Sequence, residues 1–135
     1  MAKVIFTEGG LAKLLADTGW PSTVNIALST KPCSSTGAHV VGDTLAGGFG
    51  EITGTGYARQ SVSEPAAASD GSKTWPTASF ATGSATNWPA AVKSAVVIDP
   101  GQNKLLAALD LTATRDMSGA NTTLTFTLST TSAVT

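Results

Sequence analysis

Charge is what this sequence has least of. Asp, Glu, Lys and Arg make up 13% of its 135 residues, against roughly a quarter in an ordinary globular domain. Eight cations against nine acids leave a formal net charge of −1. Cations so few and so scattered build no stripe for a phosphate backbone, which excludes a nucleic-acid partner. Cysteine is almost absent as well: Cys33 is alone, so neither an internal disulfide framework nor a cysteine-rich metal site is expected. Uncharged runs are broken by Gly, Pro, Ser and Thr, and none reads as a transmembrane helix of ~20 apolar residues. The apolar stretch of Met1–Glu8 is too short for a secretory signal, so the expected folding compartment is a reducing cytoplasm.

The residues that usually carry chemistry are equally sparse. His39 is the one histidine, and no Gly-x-Ser-x-Gly elbow accompanies it. Cys33 has no base near it in sequence to make it a nucleophile. Asp99, Asp110 and Asp116 are separated by turns and strands and lack EF-hand spacing. Gly54-Thr55-Gly56 opens like a dinucleotide fingerprint, but the third glycine is missing and a strand follows. Asn121-Thr122-Thr123 fits the glycosylation pattern, which arises easily in a Thr-rich chain. The expectation is a protein that is not an enzyme and takes no cofactor and no metal. A paired-carboxylate hydrolase is the weakest of the alternatives.

In place of charge stand Ala, Thr, Ser and Gly, about half of all positions. Solubility then rests on hydroxyls rather than on repulsion, which protects a free monomer only weakly against association.

The pattern along the chain predicts a mainly-β fold: an antiparallel β-sandwich or barrel-like domain with one short N-terminal helix. An extended segment at residues 1–7 precedes a single domain at 8–135. Thr7 caps a helix at about 8–17, with Leu11, Leu14 and Leu15 as its stripe, and Gly19-Trp20-Pro21 stops it. Val24, Ile26 and Leu28 then alternate with polar or small residues, predicting a strand with one apolar face. Residues 31–50 form a long polar loop. Tyr57, Arg59 and Ser61 share one face of an extended stretch, Ala58, Gln60 and Val62 the other. Val92–Ile98 is a β-branched strand ended by Asp99-Pro100-Gly101. Lys104 to about Arg115 reads as a strand from its Leu109–Thr114 alternation. Asp116–Asn121 is a turn. Thr122–Ser129 alternates throughout, with Leu124, Phe126 and Leu128 inward and threonines outward.

The aromatic residues are the constellation with most content. Trp20, Trp75 and Trp88 sit beside prolines or small polar residues. Each either plugs an end of the sandwich or, for one or two, anchors a partner or stacks on a sugar. Tyr57 and Arg59, two apart, form either a cation–π pair at the core rim or part of an interface.

Gly56-Tyr57-Ala58-Arg59-Gln60 follows a strand ending in Ala27-Leu28-Ser29-Thr30 and a Gly/Asp-containing loop. An aromatic-containing middle, the strand Val96-Val97-Ile98-Asp99, a Gly turn, Leu105-Leu106 and an alternating strand from Gly119 to Leu128 complete the order. From about residue 11 onward this order resembles a group of small tailed-bacteriophage virion proteins that serve as capsid decoration or fibre-base components. The segment Trp75 to Trp88 departs from that group, since Pro and Ala interrupt its β pattern. The resemblance implies a non-enzymatic structural protein that binds the phage capsid surface and cements neighbouring subunits. Its partners would be the major capsid protein and copies of itself, as a homotrimer, with no nucleic acid and no membrane. Tyr57, Arg59, Trp75, Trp88, Val4 and Phe6 are the candidate interface residues. A tail fibre, knob or adaptor is the alternative within the virion. A module binding host glycan through Trp75 and Trp88 is the alternative outside it.

Overall fold

β-Branched residues with no polar interruption belong to a strand covered on both faces, and residues 96–98 meet that description. The structure, a computed structural model, describes residues 4–6, 21–32, 49–66, 73–102 and 104–130. The strands, in chain order, are β1 (Val4–Phe6), β2 (Thr23–Ser29), β3 (Gln60–Ser63), β4 (Lys73–Thr74), β5 (Ala78–Ala81), β6 (Val92–Asp99), β7 (Lys104–Arg115), β8 (Thr123–Phe126) and β9 (Ser129–Thr130). Among the described residues there is no helix. The helix expected at 8–17, the middle of the 31–50 loop, Cys33, His39 and Trp20 lie outside them.

A five-stranded antiparallel sheet has the order β1-β7-β6-β2-β3, and two-stranded sheets pair β5 with β8 and β4 with β9. β6 is central, and every residue from Ser94 to Asp99 is buried. Val24, Ile26, Leu28, Ala95, Val97, Leu106 and Ala107 join Ala78 and Phe80 of β5, with Trp75, Trp88, Met117 and Leu128, in the larger apolar cluster. The β5–β8 sheet, with Trp75 and Leu128 beside the β4–β9 pair, therefore supplies the core on one face of the large sheet.

On the other face Ala27, Val96, Ile98, Leu105 and Ala108 form a second cluster, which Phe49 joins. This corrects the expectation of a single apolar face for β2: Ala27 and Ser29 are as buried as Val24 and Leu28. The alternation missed it because Ala and Ser, small enough for a crowded interior, score as neutral in a two-period pattern. A register shift between Val97 and Ile98 places the adjacent Leu106 and Ala107 in the same cluster, with Leu105 and Ala108 in the other, as a bulge re-aims successive side chains.

Two further boundaries differ from the sequence pattern, and one agrees with it. The extended stretch expected from Tyr57 begins as strand only at Gln60. A turn comes first, closed by the Tyr57 N–H donating to the Gly54 carbonyl at 3.1 Å, with Gly56 at a φ of 76°. The last strand breaks after Phe126, and Ser129–Thr130 pairs instead with β4. Lys104–Arg115 is one strand throughout, although only its second half alternates clearly.

Buried hydroxyls fasten the connections. Ser29 Oγ donates to the Phe49 carbonyl at 2.6 Å and accepts from the Lys31 N–H at 3.0 Å. Ser94 Oγ donates to the Lys31 carbonyl at 2.6 Å. Thr82 Oγ1 donates to the Gly119 carbonyl at 2.9 Å and accepts from the Thr122 N–H at 3.0 Å. Each such bond satisfies a backbone group that would otherwise be costly to bury.

Adjacent residues on β5 test the inward and outward assignment. Phe80 is 1% exposed and Ser79 faces solvent. Phe80→Ala is expected to lower the unfolding free energy by about 3–5 kcal/mol, and Ser79→Ala to change it by less than about 0.5 kcal/mol. Urea denaturation of the two variants decides it, and equal effects would contradict the layering described here.

Candidate functional site

The densest group of polar and aromatic side chains lies where the chain returns from the long loop. Residues 49–52 run beside the end of β2: the Thr30 N–H donates to the Gly50 carbonyl at 3.0 Å, and the Ile52 N–H donates to the Leu28 carbonyl at 3.1 Å. This pairing brings Glu51 opposite Ser29 and aims its carboxylate at the turn carrying Tyr57 and Arg59. Arg59 Nε and Nη2 donate to Glu51 Oε1 and Oε2 at 2.8 and 2.7 Å. This two-pronged pairing is the geometry a guanidinium makes best. The Tyr57 hydroxyl donates to Glu51 Oε1 at 3.2 Å and accepts from the Leu28 N–H at 3.0 Å.

Packing beneath the polar group fixes its orientation. The Tyr57 ring stands edge-on to Trp88, with centroids 5.4 Å apart, and lies roughly parallel to Phe80 at 6.2 Å. Trp88 Nε1 donates to the Thr55 carbonyl at 2.9 Å. Asn87 clamps the same turn, accepting from the Thr55 N–H at 2.9 Å and donating to Thr55 Oγ1 at 3.1 Å. A Cβ at Gly54 would come within 2.2 Å of Trp88 Cδ1. Only glycine admits that contact.

Burial, and after it the neighbouring Glu51 carboxylate, holds the Tyr57 phenol well above its ordinary value. The Leu28 N–H and the Arg59 charge oppose this without reversing it. The hydrogen bonds to Glu51 hold Arg59 still more firmly protonated. The cation–π contact that Arg59 makes is with Phe49, 5.8 Å from the ring centroid, in place of the Tyr57 stacking that the spacing offered. The group thus consists of a protonated phenol and an ion pair that neutralises itself. Its chemistry is fastening: it ties the 49–52 segment to the 54–59 turn.

Tyr57, Arg59 and Trp88 of the candidate residues are therefore brought together. Trp75 is placed elsewhere, its backbone N–H donating to the Leu128 carbonyl at 2.8 Å. Trp75 and Trp88 are each 3% exposed, so neither offers a ring face to a sugar or a partner as the chain stands. Val4 and Phe6 lie on the edge strand β1, paired with Leu109 and Ala107. Sequence reasoning missed Glu51 and Asn87. Glu51 had one available signal, an acid at the end of a polar loop shortly before the sole Tyr and an Arg. Asn87 had none, because its partner is distant in the chain.

No group of three metal-ligating side chains comes together among the described residues, and none of their helices is long and apolar enough to cross a membrane. No family model, no curated protein and no solved structure matches the chain.

Two predictions follow from this cluster. In a double-mutant cycle, Glu51→Gln and Arg59→Gln should couple by about 1 kcal/mol, the upper end for a pair on a partly exposed surface. Additive losses in urea denaturation would show that the pair does not act as a unit. The folded chain also holds the phenol proton more tightly than the unfolded chain, whose tyrosine titrates near ~10. Stability is accordingly full below that pH and falls as pH rises above it, because the unfolded state loses the proton first. Tyr57 is the only tyrosine, so tyrosinate absorbance reports on it alone. Native protein should show none at the ordinary phenol pH, and Tyr57→Phe should remove the alkaline slope. Ordinary titration in the folded state would contradict the placement.

Proposed function

We propose that this protein is a non-enzymatic structural component of a tailed-bacteriophage virion, binding the capsid surface and cementing neighbouring subunits. The observation that carries this reading is the outer face of the β5–β8 ribbon. Ser79 pairs with Thr125 and Ala81 with Thr123, and Thr77 Oγ1 lies 2.7 Å from Thr127 Oγ1. All six are exposed and none is charged. A free-living domain ordinarily places Lys or Glu on such a strand to keep its faces and edges from associating. A protein whose working state is an assembly gains nothing from them.

The layering of the two small sheets against one face of the large one supports an antiparallel sandwich, a rigid module of the kind that withstands attachment at several points. A trimer on a local three-fold of the shell is the symmetry in which one such module bridges several subunits. The partners are then the major capsid protein and copies of this chain. The glycan-binding alternative has less support, since the two tryptophans it needs turn inward.

Light scattering coupled to size exclusion, followed by co-sedimentation with expanded phage heads, tests the reading. A trimer that pellets with heads and not alone is expected. A monomer that stays in the supernatant would overturn it.

A further inference from the structure

β7 outruns its neighbours. Its pairing with β6 passes from Asp110 opposite Ser94 to Arg115 opposite Val92, so Lys93 alone faces Leu111, Thr112, Ala113 and Thr114. On the other edge β1 reaches only Leu109. Among the described residues the segment 111–114 therefore has no strand partner, and Thr112 to Arg115 are exposed. Among the described residues β8 likewise pairs on one edge only, with β5. The two open strips line a common groove, with Leu111, Leu124 and Phe126 half-buried along it. Between 111 and 114 and between 124 and 126 the lining carries no charge, and half-buried Asp110 lies at the end opposite Arg115. Arg115 stands exposed at one end, and the adjacent Asp116 carboxylate is engaged by Ser118 Oγ at 2.6 Å.

We propose that this groove docks an extended segment of a neighbouring protein, uncharged with apolar residues at alternate positions, and bearing a carboxylate abreast of Arg115. The segment adds a strand to the free edge of β8, whose backbone groups supply the hydrogen bonds. Alternate side chains of the guest then cover Leu111, Leu124 and Phe126, while its other side chains continue the hydroxyl face. The uncharged middle of the lining rejects a guest charged there, which would lose hydration without gaining a partner. Arg115 selects the guest's acidic end. The proposal rests on the reading of the protein as an assembly module and names the partner's chemistry at one of its surfaces.

The test uses the full chain and two blocked peptides of alternating Val and Thr, one with a single Glu at one end and the other with a single Lys at that end. Glu-ended peptide should bind about tenfold more tightly than Lys-ended peptide, and Arg115→Glu should invert that order. Hydrogen exchange should slow at residues 111–114 and 123–126 when Glu-ended peptide is added. Thr112→Lys with Thr125→Lys, both outward substitutions, should abolish the protection without unfolding the chain. Protection elsewhere, no protection, or an affinity order unchanged by Arg115→Glu would overturn the proposal. Protection of the same amides that depends on protein concentration and needs no peptide would overturn it in favour of a second copy. The peptides contain no capsid, so co-sedimentation with heads that survives a failed peptide assay leaves the wider reading standing.

Discussion

The structure depends on burying β6 on both faces. A strand in that position carries charge only toward its ends, at Lys93, which is exposed, and at Asp99, whose carboxylate accepts from the Gly101 and Gln102 N–H groups, and its neighbours must each contribute to two apolar clusters. That requirement explains the small residues around it. Ala27, Ala107 and Ala108 admit close packing next to Val96, Val97 and Ile98, and Ser29 and Ser94 are tolerated because their hydroxyls find backbone carbonyls. A longer polar side chain at either serine would have to leave the interior or carry an unmet hydrogen-bonding group into it, at a cost of about 1–3 kcal/mol. The scarcity of charge is thus partly a consequence of the architecture: much of the large sheet has no solvated face on which to put any.

The connections must then be held by something other than ion pairs. Hydroxyls do most of this, through Ser29, Thr82 and Ser94, at places where a carboxylate would be too costly to desolvate. Two carboxylates are exceptions: Asp99, buried at the end of β6, accepts from the Gly101 and Gln102 N–H groups of the turn that follows, and Glu51 shows what an acid needs at the rim. Both oxygens are occupied by Arg59, a phenol shares one of them, and the group sits at the rim where water still reaches it. Glu64 and Lys73, the other ion pair between described residues, also lie at the surface, joining the end of β3 to β4. Charge is used where two connections must be tied and solvent is close enough to soften the penalty.

How much of this was legible in the sequence follows from which contacts are local. The β-branched run at residues 92–98, the Asp-Pro-Gly turn and the Thr-Leu-Thr-Phe alternation each encode their structure within a few residues, and each stands where the pattern put it. The bulge that sends Leu106 and Ala107 to the same cluster did not show, because it is set by the register with β6 rather than by any residue of β7. Tyr57 and Arg59 were legible as a pair, but their common partner was not, since Glu51 arrives from across a long loop. The tryptophans illustrate the converse limit. Proline neighbours signalled that Trp75 and Trp88 are not ordinary strand residues, and burial by Gly54 and by the chain around Leu128 made them interior all the same.

A two-sided core and an uncharged outer ribbon place opposite demands on the edges. Sheets that lack charge and remain monomeric usually close their edges, cover them, or twist them away. Here the twelve-residue β7 runs past β1 and leaves β6, while β8 is left with one partner among the described residues. Neither strip carries a lysine, a proline or an inward charge to discourage pairing; Arg115 stands only at the end of one. Such an edge is a liability in solution and an asset in an assembly, because backbone groups already aligned lose little further freedom when a neighbour pairs with them. The same absence of charge that lets β6 be buried therefore leaves β8 open. A chain built this way is stabilised within itself by its interior and remains unfinished at its margin.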